Sequence, residues 1–323
     1  MKIIKPYVEF IDEPNYLKKI ELAGRVCYKS EDLITEDSAE RFIANVLKRG
    51  HESVIEHANF IVGMCTELYA EFKRSIDVMQ SHGIKIMLNI TECPLRNVFM
   101  ISGNARMWRD YFRSLDIMIT EPQFIRLFKD YPQLFADVLP ENLETKKPAL
   151  PFYTFLDDSY LSTDNEKKTH IMQTVRIVCD RGVTHEIVRH RLASYSQESS
   201  RYCCYTKDKF GNEITVIKPL FFNENSKEYG IWKRSCENSE MAYFDLISAG
   251  ATPEKARDVL PNSLKTEIVM SAYLSEWEHF FKLRCSKAAH PQMREIALPL
   301  LKMFGDRYPE IFKDLCEEYA DEL

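Results

Sequence analysis

Residues 171–202 read IMQTVRIVCDRGVTHEIVRHRLASYSQESSRY. The run TVRIV is typical of a buried strand, residues 180–182 of a turn, and VTHEIV of the start of a helix. The stretch therefore predicts strand, turn and helix in succession, ending in the cation-rich sequence RHR. Two arginines, a histidine, four serines and a further arginine lie within residues 189–202, an arrangement suited to an anion with several oxygens.

Sequence signals for the start and end of helices recur outside this stretch. Residues 37–50 predict a helix with capping-box spacing between Asp37 and Glu40, an apolar stripe and a stop at Gly50, and the following HESVIEHANFIV runs into a predicted strand. An amphipathic helix is predicted over 104–115, where the aromatic stripe favours a core over a ligand site. Residues 132–168 are rich in proline, aspartate and threonine and predict a loop.

The second half of the sequence is dominated by helix signals. Helices are predicted over 228–249, from Pro253 after an N-cap at Thr252, over 275–287 with capping-box spacing between Ser275 and Glu278, and from 291 to 305 with a kink at Pro299. The whole pattern predicts an α+β fold with more helix than strand.

Bulk composition excludes several classes of function. The 323 residues carry a net charge of -6 and no long basic block, which argues against nucleic acid as the main substrate. No apolar leader and no membrane-length apolar run occur, so we expect a cytoplasmic protein without membrane contact. Nine dispersed cysteines without a CxxC pair favour reduced, mostly buried thiols over disulfides or a zinc site.

The ten glycines are too widely spaced for the known phosphate-binding loops. Neither GxGxxG nor GxxxxGK occurs. If the protein binds phosphate, side chains must do so, and arginine is best suited because its planar fork pairs two donors with two oxygens.

Residues 51–57, HESVIEH, form the first candidate site. The metalloprotease spacing HExxH fails because Ile55 occupies the fifth position, so no metal site is predicted. His51, Ser53 and Glu56 remain just beyond a helix end, and a polar turn that closes the helix explains them equally well.

The RHR segment is the second candidate. A solvated basic turn is the usual explanation, but apolar residues stand on both sides, which predicts buried arginines in need of an anion. Glu186 and Glu198 cannot obviously neutralise three arginines, whereas a bound phosphate would. No GxSxG elbow surrounds the serines, so a serine nucleophile is disfavoured.

Arg284 is the third candidate. It lies at i+7 from Trp277, with Phe280 and Phe281 between them, and this spacing places the cation on an apolar helix face. A snorkelling side chain is the alternative. Arg257, one turn into its own short helix, is a weaker candidate.

Taken together, these motifs resemble the flavin-dependent thymidylate synthases. The string RHRLASYSQES followed by SRY resembles the signature of that family, and GHESVIEH, ARDVLP and HFFKLR resemble three further segments in the same order, so that the resemblance covers about residues 1–62 and 168–323. It implies a homotetramer with shared active sites and mixed helices around an antiparallel sheet. It also implies reductive methylation of dUMP to dTMP with FAD, methylenetetrahydrofolate as carbon donor, NADPH as reductant and no covalent enzyme nucleophile.

The resemblance assigns roles to individual positions. It implies that Arg284 is catalytic and favours ionisation of the uracil. Cofactor-binding positions are implied at His51, Ser53, Glu56, Arg189, His190, Arg191, Gln197 and His279. Substrate-binding positions are implied at Glu186, Arg189, Gln197, Glu198, Ser199, Ser200, Arg201, Arg257 and Arg284. A fixed guanidinium at the pyrimidine fits the chemistry, because it stabilises negative charge developing near N3 and the C4 carbonyl.

The sequence also departs from the family pattern. Gln197 stands where glutamate is common and Glu186 where glutamine is common, so hydrogen-bond partners there are expected to be exchanged; His279 stands where some members have asparagine. Residues 63–167 interrupt what is a compact hairpin in short members, and we expect one domain over 1–323 with a largely helical insertion there. A lid, an added oligomer contact or a surface elaboration all fit that insertion. A non-catalytic nucleotide-sensing or RNA-contacting homologue is the alternative function.

Overall fold

A computed structural model of the chain describes residues 1–93, 96–117, 123–139, 153–207 and 210–323. The chain divides into two compact units. Unit 1 comprises Met1–Asp12, Leu22–Leu33 and Gln173–Leu323, and unit 2 comprises Glu13–Glu21 and Ile34–Met172. The expectation of one domain with an insertion at about 63–167 stays a prediction.

The strands fall into three sheets. In chain order they are β1 Lys2–Ile4, β2 Tyr7–Phe10, β3 Asn59–Met64, β4 Asn89–Cys93, β5 Val98–Asn104, β6 Tyr153–Leu156, β7 Met172–Asp180, β8 Ser194–Gln197, β9 Thr215–Ile217 and β10 Lys265–Tyr273. Unit 1 contains the sheet β2-β7-β10-β8 and the parallel pair β1-β9, and unit 2 contains the antiparallel sheet β4-β5-β3-β6. Helices combined with antiparallel pairing confirm the α+β prediction.

Helices make up most of the remaining structure. They are α1 Tyr16–Tyr28, α2 Ser38–Lys48, α3 Thr66–Ser81, α4 Ala105–Arg113, α5 Pro132–Phe135, α6 Asp164–His170, α7 Arg181–Ile187, α8 Lys227–Ser248, α9 Pro253–Ala256, α10 Leu274–Arg284, α11 Pro291–Arg307 and α12 Pro309–Glu318. Single 3₁₀ segments include Glu52–His57 and Arg257–Val259. No helix in the described ranges is long and apolar enough to cross a membrane.

The core of unit 1 lies between its four-stranded sheet and the helices that follow β10. Strands β2 and β7 pair antiparallel, as do β8 and β10, with Gln197 opposite Ile268. Trp277 of α10 is fully buried, packs 5.0 Å from Phe304 of α11, and donates its indole N–H to the carbonyl of Gln173. Because this packing fixes α10, it also fixes the position of Arg284 at the end of the helix.

The core of unit 2 is rich in aromatic side chains. Phe60 of β3 lies within 4.5–5.8 Å of five other rings, and Trp108 of α4 packs 4.9 Å from Phe128. Asn104 caps α4 by accepting from the Met107 N–H at 3.0 Å. The helix predicted over 104–115, with its aromatic stripe in the core, is therefore confirmed.

Three sequence predictions were wrong in part. Within 63–167 the described residues contain more helix than strand, but β4, β5 and β6, which were not predicted, also supply three of the four strands of one sheet. The loop predicted over 132–168 contains α5, β6 and α6, while its residues 140–152 lie outside the described residues. The predicted capping boxes do not form, because neither Asp37 nor the segment before α10 provides a side-chain cap.

Candidate functional site

Arg284 closes α10 and carries three hydrogen bonds. Its Nε donates to Nε2 of His190 at 3.0 Å, Nη1 to Oε2 of Glu186 at 2.9 Å, and Nη2 to the Glu186 carbonyl at 3.0 Å. The side chain is 18% exposed, and its carboxylate partner is 35% exposed. A guanidinium has five N–H donors, so two remain without an acceptor among the described residues. These two donors are free for a ligand.

The partners of Arg284 come from α7 and the loop after it. Asp180 starts α7 by accepting from the Val183 N–H at 2.8 Å, so the turn predicted at 180–182 is in fact a helix N-cap. After the helix ends at Ile187, the phenol of Tyr195 lies 3.0 Å from the Ile187 carbonyl and 2.6 Å from the His190 carbonyl, and donates to both. Tyr195 therefore holds the RHR loop against α7.

His190 is neutral in this position. Burial, together with the nearby Arg284 and His279, lowers the pKa of His190 from 6.5 to about 4. Because Nε2 accepts a hydrogen bond from Arg284, the proton of the neutral ring lies on Nδ1. The ring packs 4.8 Å from Phe280 and 6.0 Å from the exposed His279. A neutral histidine can thus orient Arg284 through this hydrogen bond without placing a second positive charge beside the guanidinium.

Arg189 and Arg191 are exposed, contrary to the burial predicted from their neighbours. Val188 is 41% exposed and Leu192 is 56% exposed, so the apolar residues on either side do not bury the cations. Neither arginine forms an ion pair within the part of the chain that the structure describes. Two unpaired guanidinium groups in one loop form a surface that attracts an anion.

Gln197 ends β8, and Glu198, the residue after the strand, contacts different partners. Gln197 donates to the hydroxyls of Thr184 at 3.0 Å and Thr266 at 3.2 Å, on the α7 side. Glu198 is 3% exposed and pairs with Lys265 at 3.0 Å. The substrate contact predicted at Glu198 stays a prediction, and in this structure its carboxylate pairs with Lys265.

The Glu198 cluster is a charged ladder on unit 1. Glu267 lies beside Glu198 and receives bonds from Lys29 at 2.9 Å and from the Nε of Arg176 at 2.9 Å. Burial raises the pKa of Glu198, and the negative charge of Glu267 adds to this while Lys265 opposes it. Alternating charges across these strands stabilise the sheet.

The serine-rich end of the motif forms a turn. The Ser199 N–H donates to the Cys27 carbonyl at 3.0 Å, its hydroxyl accepts from the Arg201 N–H at 3.3 Å, and Ser200 is buried. Arg201 pairs with Glu254 of α9 at 2.9 Å. Arg257 follows α9, is half-buried and has no ion pair with any described residue. Arg201 is therefore joined to α9 by its ion pair with Glu254, and Arg257 directly follows the same helix.

The remaining predicted residues lie in unit 2. Gly50 ends α2 with a φ of +71°, a conformation that favours glycine, and the next residues form the 3₁₀ segment Glu52–His57. His51 and Ser53 are exposed, and Glu56 accepts from Nη1 of Arg106 at 2.8 Å. The second carboxylate oxygen of Glu56 has no hydrogen bond to any described residue.

The structure brings together Glu186, His190, His279 and Arg284, residues separated by up to 98 positions. Sequence reasoning gave no role to Tyr195, to Lys265 or to the arginines of α4. A signal for the last group did exist, since Arg106, Arg109 and Arg113 recur at intervals of three and four residues. No group of three or more metal-ligating side chains occurs among the described residues, and none of the nine cysteines forms a disulfide.

The fold is α+β, and Arg284, Glu186 and His190 form one hydrogen-bonded cluster in unit 1. The sequence model of one family, described as "Thymidylate synthase complementing protein", matches residues 9–70 and 163–310. A curated relative from Geobacter sulfurreducens is 32% identical over 181 residues, which cover 56% of this chain and 76% of the relative. One from Pyrococcus furiosus is 35% identical over 129 residues, covering 40% of this chain and 52% of the relative.

A third relative, from Corynebacterium glutamicum, is 31% identical over 157 residues, covering 44% of this chain and 60% of the relative. All three carry the name flavin-dependent thymidylate synthase. The chain therefore belongs to the thymidylate synthase complementing protein family, a family of enzymes. It spans about half the length of the Pyrococcus relative and about three quarters of the Geobacter relative.

Proposed function

We propose that this protein catalyses reductive methylation of dUMP to dTMP, with methylenetetrahydrofolate as carbon donor, FAD as redox cofactor and NADPH as reductant. The observation that carries the proposal is the meeting of Arg284 with His190 of the RHR loop at 3.0 Å. Motifs 94 residues apart in sequence thereby form one cluster in unit 1, with donors left for a ligand.

Arg284 is proposed to act on the pyrimidine. Its two remaining N–H donors are held in a fixed orientation by Glu186 and His190, and fixed donors stabilise charge that develops on a uracil carbonyl. Glu186 replaces the glutamine common at this position, and its carboxylate balances the guanidinium before a substrate binds. No serine or cysteine nucleophile is needed, because the charge on the ring makes C5 the attacking carbon.

The residues of the RHR loop fit an FAD diphosphate. Arg189 and Arg191 are exposed and unpaired in the described structure, as a site for a dianion requires. When bound, FAD supplies the redox chemistry of the methylation. Three further positions, His51, Ser53 and Glu56, are proposed to contact the cofactor from the 51–57 segment, and His279 beside His190. Gln197 is proposed to contact both the cofactor and the nucleotide.

Ser199, Ser200, Arg201 and Arg257 are proposed to bind the nucleotide phosphate and sugar. Arg257 has no ion pair with a described residue, whereas Arg201 pairs with Glu254 through its Nε, and we propose that the phosphate takes the place of Glu254. That exchange is inexpensive because the Arg201–Glu254 pair is about half exposed, and such pairs contribute little to stability. A homotetramer that shares its active sites, located in the cytoplasm, completes the proposal.

The direct test is dTMP formation by the purified chain. The complete mixture of dUMP, methylenetetrahydrofolate, NADPH and FAD is expected to yield dTMP, and omission of FAD from flavin-free protein is expected to abolish the product. A folded protein that binds dUMP but forms no dTMP would instead support a nucleotide-sensing homologue.

A further inference from the structure

The 51–57 segment is held by a helix from outside the matched family regions. Residues 71–162 lie between the two stretches that the family's sequence model matches, and they contain α4. We propose that α4 positions the 51–57 segment through three arginines that bind Glu52 and Glu56. The ligand part of this inference rests on the proposed function, whereas the positioning part does not.

Spacing places the three cations on one side of α4. Arg106, Arg109 and Arg113 stand at i, i+3 and i+7, which is one helix face. Glu52 and Glu56 stand four residues apart in the segment opposite. The arginine face therefore meets two carboxylates at matching intervals.

Glu52 accepts hydrogen bonds from two of the three arginines of α4. Both of its oxygens bind Arg113, with Nη1 lying 2.9 Å from Oε2 and Nη2 bonded to Oε1, and Arg109 adds a bond at 3.3 Å. The hydrogen bonds from Arg113, helped by the charge of Arg109, lower the pKa of Glu52 despite its partial burial. The bidentate pair with Arg113 and the additional bond from Arg109 fix both the position and the orientation of the Glu52 carboxylate.

Arg109 connects this pair to the rest of unit 2. Its side chain is 1% exposed, and it binds both oxygens of Asp137 at 2.7 and 2.6 Å and the carbonyl of Leu134. Because Arg109 is buried and bound by three partners, its side chain has less freedom to move than an exposed arginine. The pair of arginines that binds Glu52, Arg109 and Arg113, is therefore fixed to the core of the inserted residues through Arg109.

Glu56 is held more loosely and in a way suited to a ligand. Arg106 binds Oε1 at 2.8 Å, with side chains 46% and 19% exposed respectively, and Oε2 has no partner in the described ranges. Arg106 thus orients Glu56 while leaving one acceptor available. We infer that α4 prepares this oxygen for an N–H donor of the cofactor.

The first experiment measures positioning without any ligand. Amide hydrogen exchange of the flavin-free full chain is compared for wild type, Arg113→Gln, Arg113→Lys and the control Arg74→Gln, an exposed arginine of α3 with no ion pair to described residues. Loss of the two-pronged bond is expected to speed exchange across 52–57 about tenfold in Arg113→Gln. Lysine is expected not to restore protection, because it lacks the planar fork.

Peptides from β3 and β5, which belong to the same unit 2, report whether the variant stays folded, and equal exchange there is expected in all four proteins. Unchanged exchange of 52–57 in both Arg113 variants would overturn the positioning role. If Arg113→Gln unfolds globally, Arg106→Gln takes its place. Arg106 is 46% exposed, and protection is expected to fall around Glu56 alone.

The second experiment measures the ligand part by FAD titration. Arg106→Gln is expected to bind FAD about tenfold more weakly than wild type, and Arg106→Lys to bind as wild type does, since a single point contact suffices there. Equal affinity in wild type and Arg106→Gln would overturn the role toward the cofactor. A wild-type chain that binds no FAD would refute the proposed function, while the exchange data would still decide whether α4 positions the segment.

Discussion

Removing the phenol of Tyr195 tests whether the RHR loop must be held in place. Tyr195→Phe keeps the ring and loses one O–H donor that serves the carbonyls of Ile187 at 3.0 Å and His190 at 2.6 Å. One shared hydrogen bond contributes about 1 kcal/mol net, and up to ~1.4 kcal/mol when its half-buried acceptors are left unpaired. At about 1.4 kcal/mol per tenfold change, the loop geometry that orients Arg284 becomes about five- to tenfold less populated.

The assay is kcat/KM for dUMP, measured well below the unfolding temperature of the variant. Tyr195→Phe is expected to lose about five- to tenfold in kcat/KM, whereas the control Tyr160→Phe, an exposed tyrosine whose hydroxyl makes no hydrogen bond to described residues, is expected to match wild type. A purely structural role would lower the unfolding temperature and leave kcat/KM of the folded protein unchanged. That result would refute the reasoning.

Three further predictions concern other residues of the candidate site. Arg284→Ala is expected to abolish dTMP formation while leaving the absorption spectrum of bound flavin largely intact, and complete loss of FAD would contradict its placement on the pyrimidine. Ser199→Ala is expected to retain turnover, since no serine adduct forms; a folded, dUMP-binding but inactive variant would reopen the question of a nucleophile. The pKa of His190 is about 4 when folded and about 6.5 when unfolded, so the folded chain binds fewer protons between these values. The stability that His190 contributes is therefore full above pH 6.5 and falls as the pH drops toward 4, and ¹⁵N NMR of the ring is expected to show the Nδ1–H tautomer at pH 7.

The sequence predicted correctly those features that depend on the local residue pattern. Gly50 ends α2 as predicted, and the aromatic stripe around Trp108 packs into the core as its spacing requires. Strand β10 escaped prediction because KTEIVMSAY is nearly all buried and lacks the alternation of a half-exposed strand. The two capping boxes failed in different ways: α10 starts one residue before Ser275, whereas Asp37 is the N-cap of α2 but makes no side-chain cap bond.

The candidate site was predictable as residue types but not as contacts. The sequence identified Arg284, His190 and Glu186, yet their hydrogen bonds join positions 94 to 98 apart, which only packing of α10 against the sheet determines. The same holds for Glu198, whose ion pair with Lys265 joins positions 67 apart. Burial of Arg189 and Arg191 was wrongly inferred from apolar neighbours that are themselves exposed.

The central claim is that Arg284, held by Glu186 and His190, activates the pyrimidine of dUMP. Its most direct measurement is release of tritium from C5 of dUMP in the presence of FAD, methylenetetrahydrofolate and NADPH, by wild type and by Arg284→Ala. The account predicts release by wild type that requires all three additions, and none by the variant. Flavin-loaded, folded wild-type protein that oxidises NADPH without releasing tritium would contradict it.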